Sequence, residues 1–443
     1  MINLLYQTWI DDVPISNSVP YHKREVNSKG YENVKCDYLE KMLEVNSISW
    51  RRLRVGNVDP GEITYYHIQP EWIDLAFFYE NVFHYIDENV LNLLRDPNNN
   101  IRLLIWFPSE GFHLSMPRFL DDINWSISDK GIPFNKVYMV YGDLNIEKNY
   151  ERYMFHKHLC TDTQKIHMYP FNVFETHYRH ECDVRYFMKH KRKGVDAEKE
   201  LIDPKELDQN HIRSHKFLCK NANPREHRIY IMSEIYRRGW EDQTIHSFLN
   251  RYFTPDSVGN LKSYMPESHH DRLEEIDAYS RDWLKTKTPI ILDYNAQNIG
   301  DDMNQRMLVK EHFTETYFSF VTETVFESEP GAPLFITEKT YMPFVNYHPF
   351  IITSGPGCLK YLREQGYETF PELFDESYDD ETNRSKRLEI IMNNIKNWVN
   401  KDIKELHKAY WSVWDKLEHN HKQFFARRHK DTWLKMLDFL NDK

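Results

Sequence analysis

The chain has 443 residues, of which 40% are hydrophobic and 15% aromatic, and its formal net charge is −11. This length exceeds what one ordinary core holds, so we expect two domains. The acidic balance disfavours proteins whose affinity depends on nucleic-acid phosphates. No run approaches the ~18–20 apolar residues that would span a bilayer.

The cysteines and the N-terminal residues indicate a cellular compartment. The five cysteines are scattered and include no CxxC pair, which argues against a disulfide framework and a cysteine zinc site. Residues 1–7 lack the basic region and long apolar stretch of a signal peptide. These features favour a cytoplasmic, reduced protein without a transmembrane segment.

Short apolar strands alternate with more polar segments in the first half of the chain. The residues between the first two strands, 72–95, are long enough for a crossover helix. Alternation at this spacing predicts a parallel α/β sheet. We therefore assign residues 1–188 to an N-terminal α/β domain. The predicted strands cover residues 63–68, 101–107, 136–141 and 165–169.

A charged segment without strand patterning follows at residues 189–214, which we interpret as a linker or insertion. Its basic run, residues 189–193, can form either a local patch for nucleic acid or a solvated loop.

The second half repeats the α/β pattern, and residues 215–382 form the second predicted α/β domain. A strand at 215–219 precedes a helix over 225–239 that ends at Gly239, as helices often do. We interpret residues 243–288 as a helix-containing insertion. Further strands are predicted at 289–293, 317–321 and 349–353, and two C-terminal helices within 383–443.

Two arginines and an acid follow strands of this second half. Ligands of open α/β sheets bind at the carboxyl ends of strands. Arg225 and Arg228 are three residues apart at a helix start, so both can lie on one face and grip a diphosphate. Glu323 follows the strand 317–321 and can bind hydroxyls of a ribose or a sugar, or cap the next element.

Residues 337–339 place an acid and a base side by side at a predicted helix start. Thr337 can cap this helix, and Lys339 can supply a point charge to a diphosphate. Helix N-termini attract phosphate, and Glu338 can accept hydrogen bonds from ribose hydroxyls. Pro343 limits this helix to one or two turns or kinks it. The segment predicts a binding site for a nucleotide sugar, so residues 215–382 form the predicted nucleotide-sugar-binding domain.

These pieces resemble, in this order, the C-terminal donor-binding motif of the fucosyltransferase-type glycosyltransferases. The resemblance covers residues 215–380 and is carried by Arg228 before a helix, the run 318–324, the run 335–339, and residues 349–352 with Gly355. It implies a GT-B fold, meaning two Rossmann-like domains facing a cleft, and an inverting, metal-independent transfer. The chain departs from the family in a longer loop at 327–333 and in Pro343.

The resemblance also implies a role for each matching residue. Arg228 and Lys339 would neutralise the pyrophosphate of the leaving nucleotide. Glu338 would hold the ribose, and Glu323 would line the pocket of the donor sugar. Residues 1–188, which would form the acceptor-side domain, carry no such resemblance. The resemblance therefore does not imply which acceptor the protein uses.

An inverting transfer needs a group that takes the proton of the acceptor hydroxyl. Glu110 is the first choice, because it lies in a turn directly after the strand 101–107. Asp143 follows the strand 136–141 and is the second choice, and His67 is the third. No Asp-x-Asp pair follows a strand, so we expect no metal.

The sequence therefore predicts an enzyme, a glycosyltransferase that moves a sugar from a GDP- or UDP-linked donor to a glycan or similar hydroxyl acceptor, without a further cofactor. Two alternatives remain open. The acceptor can be a hydroxymethylated DNA base, against which the net charge of −11 counts. The protein can also bind a nucleotide sugar without turning it over.

Overall fold

A computed structural model describes residues 2–10, 13–15, 17, 38–45, 47–68, 82–108, 119–157, 165–183, 202–249, 258–292, 309–328, 331–426 and 429–441. The chain forms two compact units. The first comprises residues 1–173, 331–333 and 429–443, and the second comprises residues 174–330 and 334–428. Of the predicted linker, only residues 202–214 are described.

The first unit contains a six-stranded sheet in the order β4-β1-β5-β6-β7-β8, with every neighbouring pair parallel. Strands β2 and β3 form a separate antiparallel pair. The strands are β1 (Ile2–Tyr6), β2 (Thr8–Ile10), β3 (Val13–Ile15), β4 (Trp50–Arg54), β5 (Thr64–Ile68), β6 (Ile101–Phe107), β7 (Val137–Tyr141) and β8 (His167–Pro170).

Four described helices accompany this sheet: α1 (Tyr38–Val45), α2 (Glu88–Arg95), α3 (Phe119–Asp129) and α4 (Ile146–His156). All seven residues of β6 are buried, as expected for a parallel strand covered on both faces. Leu103 and Ile105 join one large apolar cluster with Leu91, Ile123 and Ile146 of three of the helices. The four predicted strands and the parallel sheet are confirmed.

The last described helix, α14 (His429–Asn441), belongs to the first unit. Its Trp433 ring stacks on Trp106 of β6 with the centroids 5.7 Å apart. Arg102 donates a hydrogen bond of 2.9 Å from Nη1 to the carbonyl of Leu440, near the end of α14. A cation in this position interacts favourably with the helix dipole.

The second unit contains a four-stranded parallel sheet in the order β10-β9-β11-β12. The strands are β9 (Phe217–Asn221), β10 (Thr244–Phe248), β11 (Phe318–Thr322) and β12 (Phe350–Thr353). The helices are α5 (Val173–Asp183, whose first residue is assigned to the first unit), α6 (Glu226–Arg237), α7 (Leu273–Lys287), α8 (Lys310–Thr314), α9 (Glu338–Val345), α10 (Cys358–Glu364), α11 (Arg384–Val399), α12 (Ile403–Ser412) and α13 (Trp414–Ala426).

Several predictions of the second half need correction. The insertion 243–288 contains an edge strand, β10, whose mixed Thr-Ile-His-Ser-Phe sequence lacks a buried strand's apolar run. Over 289–292 only Ile290 pairs, as an isolated bridge to Phe248, so no strand forms there. The C-terminal segment forms four described helices instead of two, with breaks near residues 400 and 413. None of the described helices combines the length and apolarity needed to cross a membrane.

Candidate functional site

The sheet of the second unit has a topological switch point between β9 and β11. The chain runs from β9 to β10 on one side and then to β11 and β12 on the other. Open α/β sheets bind ligands outside the carboxyl ends of the strands at such a point. Thr322 of β11 pairs with Thr353 of β12, and its hydroxyl bonds the side-chain oxygen of Asn221 at the end of β9. The predicted donor-binding residues follow these strand ends.

Arg228 lies in the first turn of α6 and is only 3% exposed. Its Nη1 donates to the carbonyl of Asn223 at 3.0 Å, and its Nη2 donates to the carbonyl of Thr322 at 2.8 Å. The Nε group has no hydrogen-bond partner, and Arg228 forms no ion pair with any described residue. Burial and the nearby charge of Arg225 lower the pKa of Arg228 to about 10. A buried cation is thus bonded only to neutral carbonyls.

Arg225 occupies the N-cap position of α6 and is exposed. Its side chain forms no hydrogen bond or ion pair with the residues that the structure describes. Between the two arginines, His227 is buried, and its Nε2 lies 3.0 Å from the carbonyl of Glu323. Burial, with the charge of Arg228, holds the pKa of His227 well below its ordinary value. Both arginines therefore lie near the carboxyl edge, one buried and one accessible.

Glu323 directly follows β11 and is fully buried. Its carboxylate accepts hydrogen bonds from the backbone N–H of Thr337 at 3.0 Å, the Thr337 hydroxyl at 2.8 Å and the Thr340 hydroxyl at 2.6 Å. The backbone N–H of Thr324 is a fourth donor at 3.3 Å. Glu323 thus fixes the first turn of α9 at the strand end, and this arrangement matches the capping alternative of the sequence analysis.

Residues 337–339 begin α9 as the sequence predicts. Thr337 is the N-cap, and its hydroxyl oxygen accepts from the backbone N–H of Lys339 at 3.5 Å. The Nζ of Lys339 lies 2.9 Å from the Thr337 hydroxyl and 3.2 Å from Oε1 of Glu338. The Lys339 side chain is 22% exposed, against 8% for Glu338. The helix has eight residues with Pro343 inside it, which confirms the predicted two-turn limit.

A third arginine, Arg387, was missed by sequence reasoning. It lies in the first turn of α11, 1% exposed, and its Nη1 donates to the carbonyl of Ser354 just beyond β12 at 2.6 Å. The spacing of Arg384 and Arg387 at a helix start repeats that of Arg225 and Arg228. The spacing argument that selected Arg225 and Arg228 would therefore have selected Arg384 and Arg387 as well.

Arg384 and an aromatic group lie beside Arg387. Arg384 forms an ion pair of 2.8 Å with Glu327, whose other carboxylate oxygen accepts from the Tyr264 hydroxyl at 3.0 Å. The guanidinium carbon of Arg384 lies 4.2 Å from the Tyr264 ring centroid. Phe326 packs against His227, with the ring centroids 5.4 Å apart. Phe326 and Glu327, where the longer loop begins, thus contact the starts of α6 and α11 respectively.

The predicted proton acceptors belong to the first unit. Glu110 lies outside the described residues. Asp143 follows β7 and is fully buried; its carboxylate accepts from the backbone N–H of Asn145 and from Nδ2 of Asn149, both at 2.8 Å. These bonds stabilise the turn into α4.

His67, the third choice, lies in a buried polar cluster at the switch point of the first sheet, between β1 and β5. The Tyr6 hydroxyl donates to Glu40 at 2.5 Å and lies 3.5 Å from Nε2 of His67. Arg52 of β4 pairs with the Glu40 carboxylate through Nε at 2.9 Å and Nη2 at 2.8 Å. The topology brings these residues together from four distant segments. The cluster therefore could not be predicted from the spacing of residues in the sequence.

Within the described ranges, no group of three His, Cys, Asp or Glu side chains is arranged to hold a metal ion. No family model, curated protein or solved structure matches the chain.

Proposed function

We propose that the protein is a glycosyltransferase that moves a sugar from a nucleoside-diphosphate sugar to a hydroxyl acceptor, a glycan or similar molecule, with inversion and without a metal ion. The observation that carries this proposal is Arg228, a buried guanidinium at the switch point whose Nε has no hydrogen-bond partner, and which forms no ion pair, among the residues that the structure describes. Buried charges are normally paired. An anionic ligand at this strand edge supplies the missing partner.

The surrounding groups suit a diphosphate leaving group. Exposed Arg225 at the start of α6 and Lys339 at the start of α9 add two accessible cations to Arg228. Arginine binds phosphate in a bidentate way, and helix N-termini favour negative charge. In an inverting transfer, negative charge develops on the departing nucleoside diphosphate, and pre-positioned cations stabilise it in the transition state.

Two parallel α/β sheets are compatible with the GT-B fold that the family resemblance implies, and that fold is part of the proposal. In this mechanism Glu110 takes the proton of the acceptor hydroxyl while the sugar carbon is attacked. Glu338, beside Lys339, accepts hydrogen bonds from the ribose. Glu323 acts through α9, because three of its hydrogen bonds hold the N-cap and first turn of that helix.

The test is donor turnover. The protein is incubated with UDP- and GDP-linked sugars in the presence of EDTA, with and without a panel of glycan acceptors, and the released nucleoside diphosphate is measured. We expect release from one donor class and faster release with a suitable acceptor. Binding of a donor without any hydrolysis or transfer would instead support the non-catalytic alternative.

Glu110→Gln separates binding from chemistry. We expect this variant to bind the donor as the wild type does and to transfer ~10²–10⁴-fold more slowly, which is the effect of losing a general base. Full activity of Glu110→Gln would remove Glu110 from this role.

A further inference from the structure

Arg387 is a second buried guanidinium with incomplete partners. Its Nε donates to the carbonyl of Glu381 at 3.1 Å and its Nη1 to the carbonyl of Ser354 at 2.6 Å. Its Nη2 has no hydrogen-bond partner among the described residues. The guanidinium carbon lies 4.8 Å from the centroid of the Phe326 ring. Arg387 therefore repeats the situation of Arg228: it is buried, is bonded to neutral carbonyls and has one guanidinium nitrogen without an acceptor among the described residues.

The charge of Arg387 is not neutralised by an ion pair within the described part of the chain. Burial lowers its pKa to about 10, and the carboxylate of Asp379 opposes this shift most. That carboxylate already accepts from the backbone N–H groups of Leu359 and Lys360, at 2.8 and 2.9 Å. Asp379 thus bonds the start of α10 and also lies 3.8 Å from Arg363. No described carboxylate is hydrogen-bonded to Arg387, although the charges of Asp379, Glu381 and Glu327 favour its protonated form.

Arg228 and Arg387 reach the ends of neighbouring strands. Arg228 bonds the carbonyl of Thr322, the last residue of β11, and Arg387 bonds that of Ser354, which follows the last residue of β12. Thr322 and Thr353 are register partners in a parallel pair, whose strands are about 4.8 Å apart. Phe326 contacts both Arg387 and His227, the neighbour of Arg228. The two guanidinium groups therefore belong to one edge of one sheet.

We propose that Arg387 is a second anion-binding residue of the candidate site, and that Arg228 and Arg387 together select a diphosphate over a monophosphate. This inference rests on the proposed function, since it assigns a further residue to the same donor site. Two cations on adjacent strand ends match the two linked phosphoryl groups of a diphosphate, and each arginine can form charge-assisted hydrogen bonds with one of them. A monophosphate engages only one of the two.

The test is calorimetric titration with inorganic pyrophosphate, UDP, GDP, UMP and GMP. The variants are Arg387→Lys, which keeps the charge but loses the fork of donors, and Arg387→Met, which removes the buried charge. Arg387→Met keeps an unbranched side chain and removes a charge whose burial without an ion pair itself costs free energy, so it provides a second variant if Arg387→Lys is unstable.

Arg213→Lys is the matched control. Arg213 is also buried, and its Nη1 donates to the carbonyls of Phe313 and Thr316. These carbonyls precede β11, so Arg213 lies at the opposite edge of the same sheet. A loss of affinity caused only by disturbing a buried arginine would appear in this control as well.

We expect both Arg387 variants to bind pyrophosphate and the preferred nucleoside diphosphate about ten- to a hundredfold more weakly, as for a lost charge-assisted hydrogen bond. Their affinity for the monophosphate should change far less, and Arg213→Lys should bind like the wild type. Unchanged diphosphate affinity in the Arg387 variants, with a wild type that binds, would overturn the role of Arg387 alone. A wild type that binds none of the five probes would overturn the proposed function as well.

Discussion

At the scale of single residues, the arginines of the second unit differ in whether they form an ion pair with a described carboxylate. Arg179 is buried against Glu175 at 2.5 Å, and Arg384 is paired with Glu327. Arg228 and Arg387 are also buried, and among the described residues they donate hydrogen bonds only to carbonyl groups. These two arginines lie at the edge where parallel sheets bind ligands.

Lys339→Ala tests the accessible cation of this edge. We expect the affinity for the preferred nucleoside diphosphate to fall about tenfold or more, because the diphosphate loses a direct charge partner. Transfer should fall as well. Calorimetric titration gives the affinity, and Lys360→Ala, with its side chain 70% exposed, is the control for losing a lysine. Equal affinities of wild type and Lys339→Ala would exclude Lys339 from the site.

At the scale of elements, the start of α9 depends on one buried carboxylate. Glu323→Gln replaces one acceptor oxygen by an NH₂ group, which would face the donors of Thr337 or Thr340. We expect the free energy of unfolding to fall by about 1–3 kcal/mol, the cost of leaving buried polar groups unsatisfied. The midpoint of urea unfolding measures this change.

Glu372→Gln, a substitution in a half-exposed side chain, is the control for Glu323→Gln. Because Glu323 acts through the position of α9, Glu323→Gln should also weaken nucleotide binding. Wild-type stability together with wild-type affinity would contradict the anchoring role.

The helix start and the strands around it could be predicted because their signals are local. Thr337 as a cap, Pro343 as a limit and the apolar run of β12 each carry their meaning within a few residues. The anchoring of Glu323 is less visible, because its donors come from a segment fourteen residues later. Edge strand β10 was not predicted, because a partly solvated strand does not need the continuous apolar run by which the other strands were identified.

At the scale of the whole molecule, several histidines are buried in the neutral form. Burial, with the nearby charge of Arg213, lowers the pKa of His348 from its ordinary 6.5 to about 3. His227 is shifted in the same direction by burial and Arg228. The unfolded chain binds protons near pH 6.5 that the folded chain does not bind. Stability is therefore fully present above that pH and is lost as the pH falls from 6.5 towards 3.

This linkage predicts the pH dependence of unfolding. Between about pH 6 and pH 4, each such histidine should remove about 1.4 kcal/mol of stability per pH unit. Urea unfolding at several pH values measures the slope. His348→Gln should reduce it, while His270→Gln, at an exposed position, should not. A slope that His348→Gln leaves unchanged would contradict this account of the acid sensitivity.

The central claim is that the switch-point edge of the second unit binds a nucleoside diphosphate. The most direct measurement is a thermal-shift screen of the wild-type protein against UDP, GDP, CDP, ADP and their common sugar conjugates, with Mg²⁺ and with EDTA. A ligand that binds only the folded state raises the melting temperature by mass action. We predict a clear rise with one base, of equal size in EDTA. No rise with any nucleotide would contradict the claim.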